Sequence, residues 1–208
     1  MPLGAHKAAM MGSAGVSDAD VVLLSTQTAS NVTNIAFLNL DFFTSTYKEY
    51  IVKWYNVNPV YADGNTLYCT FTTDSNGSAA NYNQSFITNT MFQADHNEAN
   101  DSPTLAYNTA RDLARVKSSF ALCEAIGNHA DECGSGEIHV INPASTTYAK
   151  IVWGRGISYN GTDHAATDHL FAGYVGETDS GIDNINGMNF AMWDGGNLDG
   201  KFKLWGVK

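Results

Sequence analysis

Apolar and polar side chains alternate along most of this sequence, and the alternation is clearest in its last segment, GGNLDGKFKLWGVK. Phe202 and Leu204 fall on one face of an extended chain there, while the lysines and Trp205 fall on the other. The preceding MNFAMWD repeats the same two-residue period, and the Asp-Gly-Gly-Asn stretch between the two is rich in residues that tolerate a positive φ. The pattern predicts a terminal β-hairpin that is packed on one face and exposed on the other.

The two-residue period also predicts strands along most of the chain. The third candidate strand is apolar on both faces, which favours a central position in a sheet. Asp63-Gly64, between the third and fourth candidates, is a typical hairpin turn. The candidate strands that precede the terminal hairpin cover 20–25, 32–40, 46–60, 65–74, 116–127, 136–142, 146–158 and 168–176.

The segment SPTLAYNTARDLARV (102–116) departs from the strand pattern. Ser102 followed by Pro103 is a typical helix start, and two alanines and Leu113 share a helical face. The same residues fit a long loop with one helical turn. We predict a short helix here and keep the loop as the alternative.

Many short strands separated by Gly, Asn and Asp predict an all-β protein, an antiparallel β-sandwich of jelly-roll type. A chain of 208 residues fits one such domain and can bury a core without disulfides. The opening MPLGAHKAAMMGSAGVS has neither strand alternation nor a sustained helical period. We therefore predict an extended N-terminal anchoring arm over 1–17, lying against another protein, and a β-sandwich domain over 18–208.

Composition narrows the range of partners. Charged residues make up only 15% of the chain, against a usual value of about 25%. A surface so poor in charge is either covered by neighbouring subunits or built from Ser, Thr and Asn. The net charge of −10, without any Lys/Arg cluster, argues against nucleic acid as a partner. No apolar run approaches the roughly 20 residues of a membrane-spanning helix.

We expect a symmetric oligomer rather than a monomer, with a trimer favoured. The segment 47–55 carries aromatic residues on both faces, and Trp205 falls on the exposed face of the last strand. Large apolar patches rarely stay open to water on monomers, and closed symmetry is the usual way of covering them.

Three cysteines, Cys69, Cys123 and Cys133, cannot all pair within one chain. The N-terminal residues lack the contiguous Leu-rich core of a secretory signal. We therefore expect free or buried thiols in a protein made in a reducing cytoplasm.

Two stretches resemble metal sites weakly. Cys123, His129 and Cys133 lie close in sequence, but their spacing is not one that zinc sites use, and no fourth ligand is evident. DSGIDN (179–184) offers loop carboxylates to a calcium ion. Ordinary loop roles are favoured in both cases, and we expect neither a metal nor a cofactor.

Candidates for catalysis are also few. Asp163-His164 and Asp168-His169 each place a carboxylate beside an imidazole, but no nucleophile motif accompanies them. A jelly-roll hydrolase would need two carboxylates facing each other across a groove, and nothing in the sequence pairs them. We expect no catalytic residues.

Residues 134–153, GSGEIHVINPASTTYAKIVW, have the pattern of a strand, an Asn-Pro-Ala-Ser turn and a second strand. Together with the closing NLDGKFKLWGVK, this stretch resembles small structural proteins in virions of tailed bacteriophages, notably those infecting aquatic bacteria. A GNI-x-x-G-x-F-x-L-Y-G type of ending is common in that group, and Trp205 stands where Tyr is more usual. The opening MPLGAHKAAMMG is also similar to the start of phage particle proteins. The resemblance covers 134–208 and does not extend to 75–130.

The resemblance implies a non-enzymatic β-sandwich unit on the exterior of a virion assembled in the host cytoplasm. Such a unit is a capsid decoration or cement protein, a head fibre or a tail appendage, held by copies of itself and by a major capsid or tail protein. The group has no shared catalytic residues to carry over. The alternative is a carbohydrate-binding module that recognises a host-surface glycan through stacking aromatic residues. The candidates for stacking are Trp54, Trp153, Trp193 and Trp205.

Overall fold

A computed structural model of the chain describes residues 20–38, 42–74, 82, 85–101 and 103–208. The described residues form a 14-stranded arrangement without a helix, and every strand pair is antiparallel, which confirms the predicted all-β class. The strands are β1 (Val21–Val32), β2 (Asn34–Leu38), β3 (Glu49–Pro59), β4 (Asn65–Thr72), β5 (Phe86–Asn97), β6 (Thr104–Tyr107), β7 (Leu113–Lys117), β8 (Phe120–Ile126), β9 (Gly134–Ile141), β10 (Lys150–Asn160), β11 (Ala165–Thr178), β12 (Gly181–Ile182), β13 (Gly187–Met192) and β14 (Leu198–Val207).

The strands form two layers that almost close on each other. The larger sheet has the order β1-β14-β3-β9-β10-β11-β5, with β6 and β7 both paired to the outer edge of β5 and the short β12 paired to the end of β11. The smaller sheet has the order β8-β4-β13-β2. The two sheets meet at one corner through the pair Asn160–Ile126. At the opposite side, the Gln27 side-chain amide of β1 donates a 2.8 Å hydrogen bond to the Ala36 carbonyl of β2. This is the antiparallel sandwich that the strand pattern predicts.

The core lies between the two sheets and is rich in aromatic rings. Phe190 of β13 packs on Phe202 of β14 with ring centroids 5.3 Å apart, and Phe120 of β8 packs on Phe171 of β11 at 6.4 Å. Phe202 and Leu204 are fully buried, so the predicted alternation of the last strand is confirmed. The outward side chains of the larger sheet therefore do not contribute to this core.

The predicted terminal hairpin is wrong, although both of its strands exist. β13 pairs with β4 and β2, whereas β14 pairs with β1 and β3, so the turn between them carries the chain from one sheet to the other. The Asp63-Gly64 turn likewise joins β3 of the larger sheet to β4 of the smaller one. Gly64 and Gly195 do adopt positive φ values of 66° and 75°. The turn residues only reverse the direction of the chain. The two strands that each turn joins face each other across the core with their apolar sides, so the connection is an arch between the two sheets and not a hairpin within one sheet.

The helix predicted within 102–116 is also wrong, because β6 and β7 occupy this segment; Ser102 itself lies outside the described residues. Both strands pair with the outer edge of β5, whose backbone groups would otherwise lack partners. The sequence pattern did not predict β5, because Asn89 interrupts its apolar face. Asn89 is buried, donates to the Arg111 carbonyl and accepts from the Leu113 N–H, each at 3.0 Å.

No helix in the described part of the chain is long and apolar enough to cross a membrane. The predicted arm, 1–17, lies outside the described residues, so its path and its role in attachment stay predictions.

Candidate functional site

Most of the large hydrophobic side chains that remain exposed lie on the outward side of the larger sheet, which we call the outer face. Cross-strand partners share a side of a sheet, so the strand register assigns each of them to this face. They are Val21 and Leu23 of β1, Tyr55 of β3, Ile151, Trp153 and Ile157 of β10, Leu170 of β11, Phe92 of β5, and Leu105 and Tyr107 of β6.

One half of the outer face, over β10, β11, β5 and β6, is predominantly apolar, and we call it the apolar end. Leu170 stands opposite Phe92 in the register, and Phe92 stands opposite Tyr107, with ring centroids 5.4 Å apart in an edge-to-face arrangement. Leu105 beside them is 80% exposed. A contiguous apolar surface of this kind is typical of a contact site.

The apolar end also contains one ion pair. The Arg155 guanidinium donates two hydrogen bonds to the Asp168 carboxylate, at 2.7 and 2.6 Å. Because this carboxylate favours the charged guanidinium, the pKa of Arg155 lies above its usual value. The two charges neutralise each other, which leaves this part of the surface close to neutral.

The other half of the outer face, over β1, β14 and β3, combines aromatic rings with lysines, and we call it the basic end. The Lys53 ammonium lies 5.9 Å from the centroid of the Trp205 ring, and the Lys203 ammonium lies 5.9 Å from that of Tyr55. Lys53 also pairs with Glu137 at 2.9 Å. Their hydrogen bond raises the pKa of Lys53 and lowers that of Glu137.

His139 of β9 lies between the two ends and fixes the orientation of Trp153. The two rings are stacked with centroids 3.7 Å apart and an interplanar angle of 13°. The imidazole Nδ1 is bonded to the Glu49 carboxylate, and Nε2 lies 3.4 Å from a Glu137 oxygen. These contacts hold the imidazole in place, and Trp153 remains 44% exposed beside it.

A groove of about 740 Å³ opens near the turn between β10 and β11. Ser135 and Gly136 of β9 line it. The serine side chain is short and glycine has none, so the sheet is uncovered there. The Tyr159 hydroxyl lies 3.2 Å from a Glu98 carboxylate oxygen and 3.3 Å from His164 Nδ1. Desolvation, together with the Glu98 carboxylate, raises the pKa of Tyr159. These groups can hydrogen-bond a polar group that enters the groove.

The residues considered as zinc ligands are buried or bonded to other side chains. Cys123 is fully buried, and burial raises the pKa of its thiol to about 12. His129 Nδ1 is bonded to Glu132 at 3.0 Å, and the Cys133 thiol lies 3.9 Å from the Asn56 side-chain oxygen. The described residues contain no group of three or more His, Cys, Asp or Glu placed to hold a metal ion. All three cysteines of the chain are free, as predicted.

Lysine side chains bind two oxygen atoms of the DSGIDN loop, one of which belongs to a carboxylate considered as a calcium ligand. The Lys117 ammonium pairs with the Asp179 carboxylate at 2.6 Å. The Lys150 ammonium is fully buried and donates to the Asp183 carbonyl. Burial lowers the pKa of Lys150 to about 8. Two ammonium groups thus already supply positive charge to this loop.

Neither Asp-His pair forms a base with an orienting carboxylate. Asp168 points outward to Arg155, whereas the next residue, His169, points inward and is fully buried. His169 Nε2 accepts a weak hydrogen bond from the Glu124 N–H at 3.4 Å, and burial lowers the pKa of His169. His164 is bonded to Tyr159 instead of its neighbouring carboxylate.

The four tryptophans lie in three different environments. Trp54 is fully buried in the core, and Trp193 is 66% exposed away from the outer face, where it packs on Tyr68 with ring centroids 5.0 Å apart. Trp205 and Trp153 share one register row of the outer face, which runs Trp205–Ile51–His139–Trp153. Sequence reasoning missed the apolar end. Its signal was β10, whose outward positions, with Ile151, Trp153 and Ile157, are more apolar than its inward ones.

No protein-family model matches this sequence, and no curated protein matches it significantly. A function is therefore inferred from the outer face and from the virion resemblance of 134–208.

Proposed function

We propose that this protein is a non-enzymatic structural subunit of a tailed-phage virion, displayed on the particle exterior as a capsid decoration, cement or fibre protein or attached to the tail. Its outer face contacts neighbouring subunits, which are copies of itself and a major capsid or tail protein. The N-terminal arm, 1–17, contributes the attachment to the particle.

The exposed apolar end of the outer face is the observation that carries this proposal. Leu170, Phe92, Leu105 and Tyr107 lie together on one sheet, and the charges of the neighbouring Arg155–Asp168 pair neutralise each other. Covering such a surface with a second protein is favourable, because removing apolar area from water stabilises the contact by roughly 25 cal/mol per Å².

The test is quantitative mass spectrometry of purified particles of the phage that encodes the protein. We expect the chain in fixed copy number: hundreds per particle for a capsid protein, or a few to tens for a tail or vertex protein. A Leu170→Asp variant should keep the wild-type melting temperature at a dilution that gives monomers and should be lost from particles. Val116→Asp is the matched control, because Val116 is similarly exposed but lies on β7, away from the outer face. Absence of the wild-type chain from particles refutes the proposal.

A second candidate function, glycan recognition, is favoured by the row that contains Trp205 and Trp153. Both rings stand on one face of one sheet, three strand steps or roughly 14 Å apart. Aromatic faces beside carboxylates such as Glu137 are typical of saccharide sites. Binding of the isolated protein to a glycan array that is lost in Trp153→Ala, but kept in Trp193→Ala, would support this function. No binding by the wild-type protein would exclude it for the glycans tested.

A further inference from the structure

The two ends of the outer face carry unpaired charged side chains of opposite sign. At the basic end, Lys201 and Lys203 of β14 point outward, and neither forms an ion pair with a residue that the structure describes. At the apolar end, the connections after β5 and β6 carry Glu98, Asp101 and Asp112. None of these three carboxylates is paired with a described lysine or arginine.

Hydrogen bonds tie two of these carboxylates to tyrosines of the outer face. Glu98 accepts from the Tyr159 hydroxyl at 3.2 Å, and Asp112 accepts from the Tyr107 hydroxyl at 3.1 Å. The acidic groups therefore border the apolar surface at defined positions. A partner that covers the apolar end meets negative charge at its rim.

The opposite charges cannot neutralise each other within one molecule. From β14 to β6 there are six strand-to-strand steps, which correspond to about 29 Å. This distance exceeds the screening length of about 8 Å at physiological ionic strength. The unpaired lysines of one chain therefore cannot reach its own acidic rim, whereas the lysines of a second molecule can.

We infer that the second molecule is another copy of this chain, whose basic end docks on the apolar, acidic end of the first. This rests on the proposed function and names the partner of the same surface. Both ends carry apolar side chains as well, with Val21, Leu23 and Trp205 at the basic end available to cover Leu170 and Phe92.

Charge explains why the contact joins unlike ends. The chain carries −10 overall, so two copies in random orientation repel each other. Placing Lys201 and Lys203 against Glu98 and Asp101, which lie together in the turn between β5 and β6, replaces this repulsion with attraction and sets the relative orientation of the copies. A closed ring and a two-fold dimer both satisfy this pairing, and the mass of the assembly distinguishes them. The trimer expected from the sequence is one such ring.

The experiment measures the molar mass of the purified full chain by light scattering over a range of protein and salt concentrations. We expect a wild-type oligomer that dissociates on dilution and more readily at high salt. Lys201→Glu with Lys203→Glu should shift the dissociation midpoint by about tenfold or more toward monomer, and so should Glu98→Lys with Asp101→Lys. Combining all four substitutions should restore the oligomer, because the charges are then exchanged across the same contact.

Arg115→Glu with Lys117→Glu is the control for net charge, since it changes the charge equally on β7 and should leave the mass unchanged. Because both side chains form ion pairs, with Glu177 and Asp179, circular dichroism first verifies that this variant is folded. Leu170→Asp tests the apolar part and should give a monomer. A monomeric wild-type chain, or a four-fold variant that fails to reassociate, overturns the inference. Failure here, together with normal presence of the chain in particles, leaves the proposed function standing. An oligomer that is absent from particles would refute the proposed function and leave the contact between copies standing.

Discussion

At the residue scale, glycines decide how closely the strands approach one another where the two sheets meet. Gly156 of β10 stands opposite Gly136 of β9 in the register. A Cβ atom on Gly156 would fall on the Leu122 carbonyl oxygen and 2.5 Å from the Cys123 sulfur. β8 can therefore approach β10 only because Gly156 has no side chain.

Gly156→Ala should lower the free energy of unfolding by about 1–3 kcal/mol, because β8 must move away to admit the methyl group. Urea unfolding followed by tryptophan fluorescence measures the change. Gly196→Ala is the control, since a Cβ there approaches only side-chain atoms of Asp194 and no neighbouring strand. Equal stability of the two variants would contradict the close-approach explanation.

His169 predicts a dependence of stability on pH. Burial holds its pKa in the folded state below the value of about 6.5 in the unfolded state, so the unfolded chain binds more protons between these two values. The free energy of unfolding should therefore fall as the pH is lowered from 7 through 6.5 to 5. His169→Gln should show a weaker fall over the same range. The exposed His129, whose pKa is raised by Glu132, acts in the opposite direction but is common to both proteins. Identical pH profiles would rule out this role of His169.

At the element scale, the arch between β13 and β14 links the two sheets covalently and through their side chains. Phe190 contacts Phe37 within the smaller sheet, with ring centroids 6.1 Å apart, and Phe202 of the larger sheet at 5.3 Å. One side chain thus joins three strands across the core.

Phe190→Ala should cost about 3–5 kcal/mol, the usual range for removing a fully buried phenylalanine. Phe92→Ala serves as the control, because Phe92 is 48% exposed on the outer face and its loss should change the stability of the monomer by much less. Thermal unfolding of both variants at a dilution that gives monomers compares them. A similar loss in the two variants would mean that the outer face contributes to folding.

At the scale of the whole molecule, a chain with 15% charged residues leaves one broad apolar surface uncovered and places opposite charges at its two ends. A compact sandwich does not need such a surface for its own stability, because its core is closed between the sheets. The assembly with other subunits that we propose accounts for both features.

Deleting residues 2–15 should separate attachment from folding. The sandwich should keep its melting temperature, and incorporation into particles should be lost, because the arm is predicted to lie against another protein. The measurement pairs calorimetry of the truncated chain with its copy number in purified particles. Normal incorporation of the truncated chain would move the attachment to the outer face alone.

The sequence by itself determined the fold class and the positions of most strands. Alternation alone was sufficient for β14, where Phe202 and Leu204 are buried and Lys201 is exposed. Local side-chain periodicity carries this information, since each residue of a strand faces either the core or the outside. The same reasoning failed for β5, because its buried Asn89 is satisfied by a distant segment.

Only the tertiary structure decided which strands share hydrogen bonds and which exposed residues share a surface. The turns at Asp63-Gly64 and between β13 and β14 are turns as predicted, yet both cross between sheets because the strands bury their apolar faces against each other. The outer face combines residues from β1 to β14, the first and last strands, so no local pattern contains it. Pairing and surface composition depend on contacts between segments far apart in the chain, which a period of two residues does not encode.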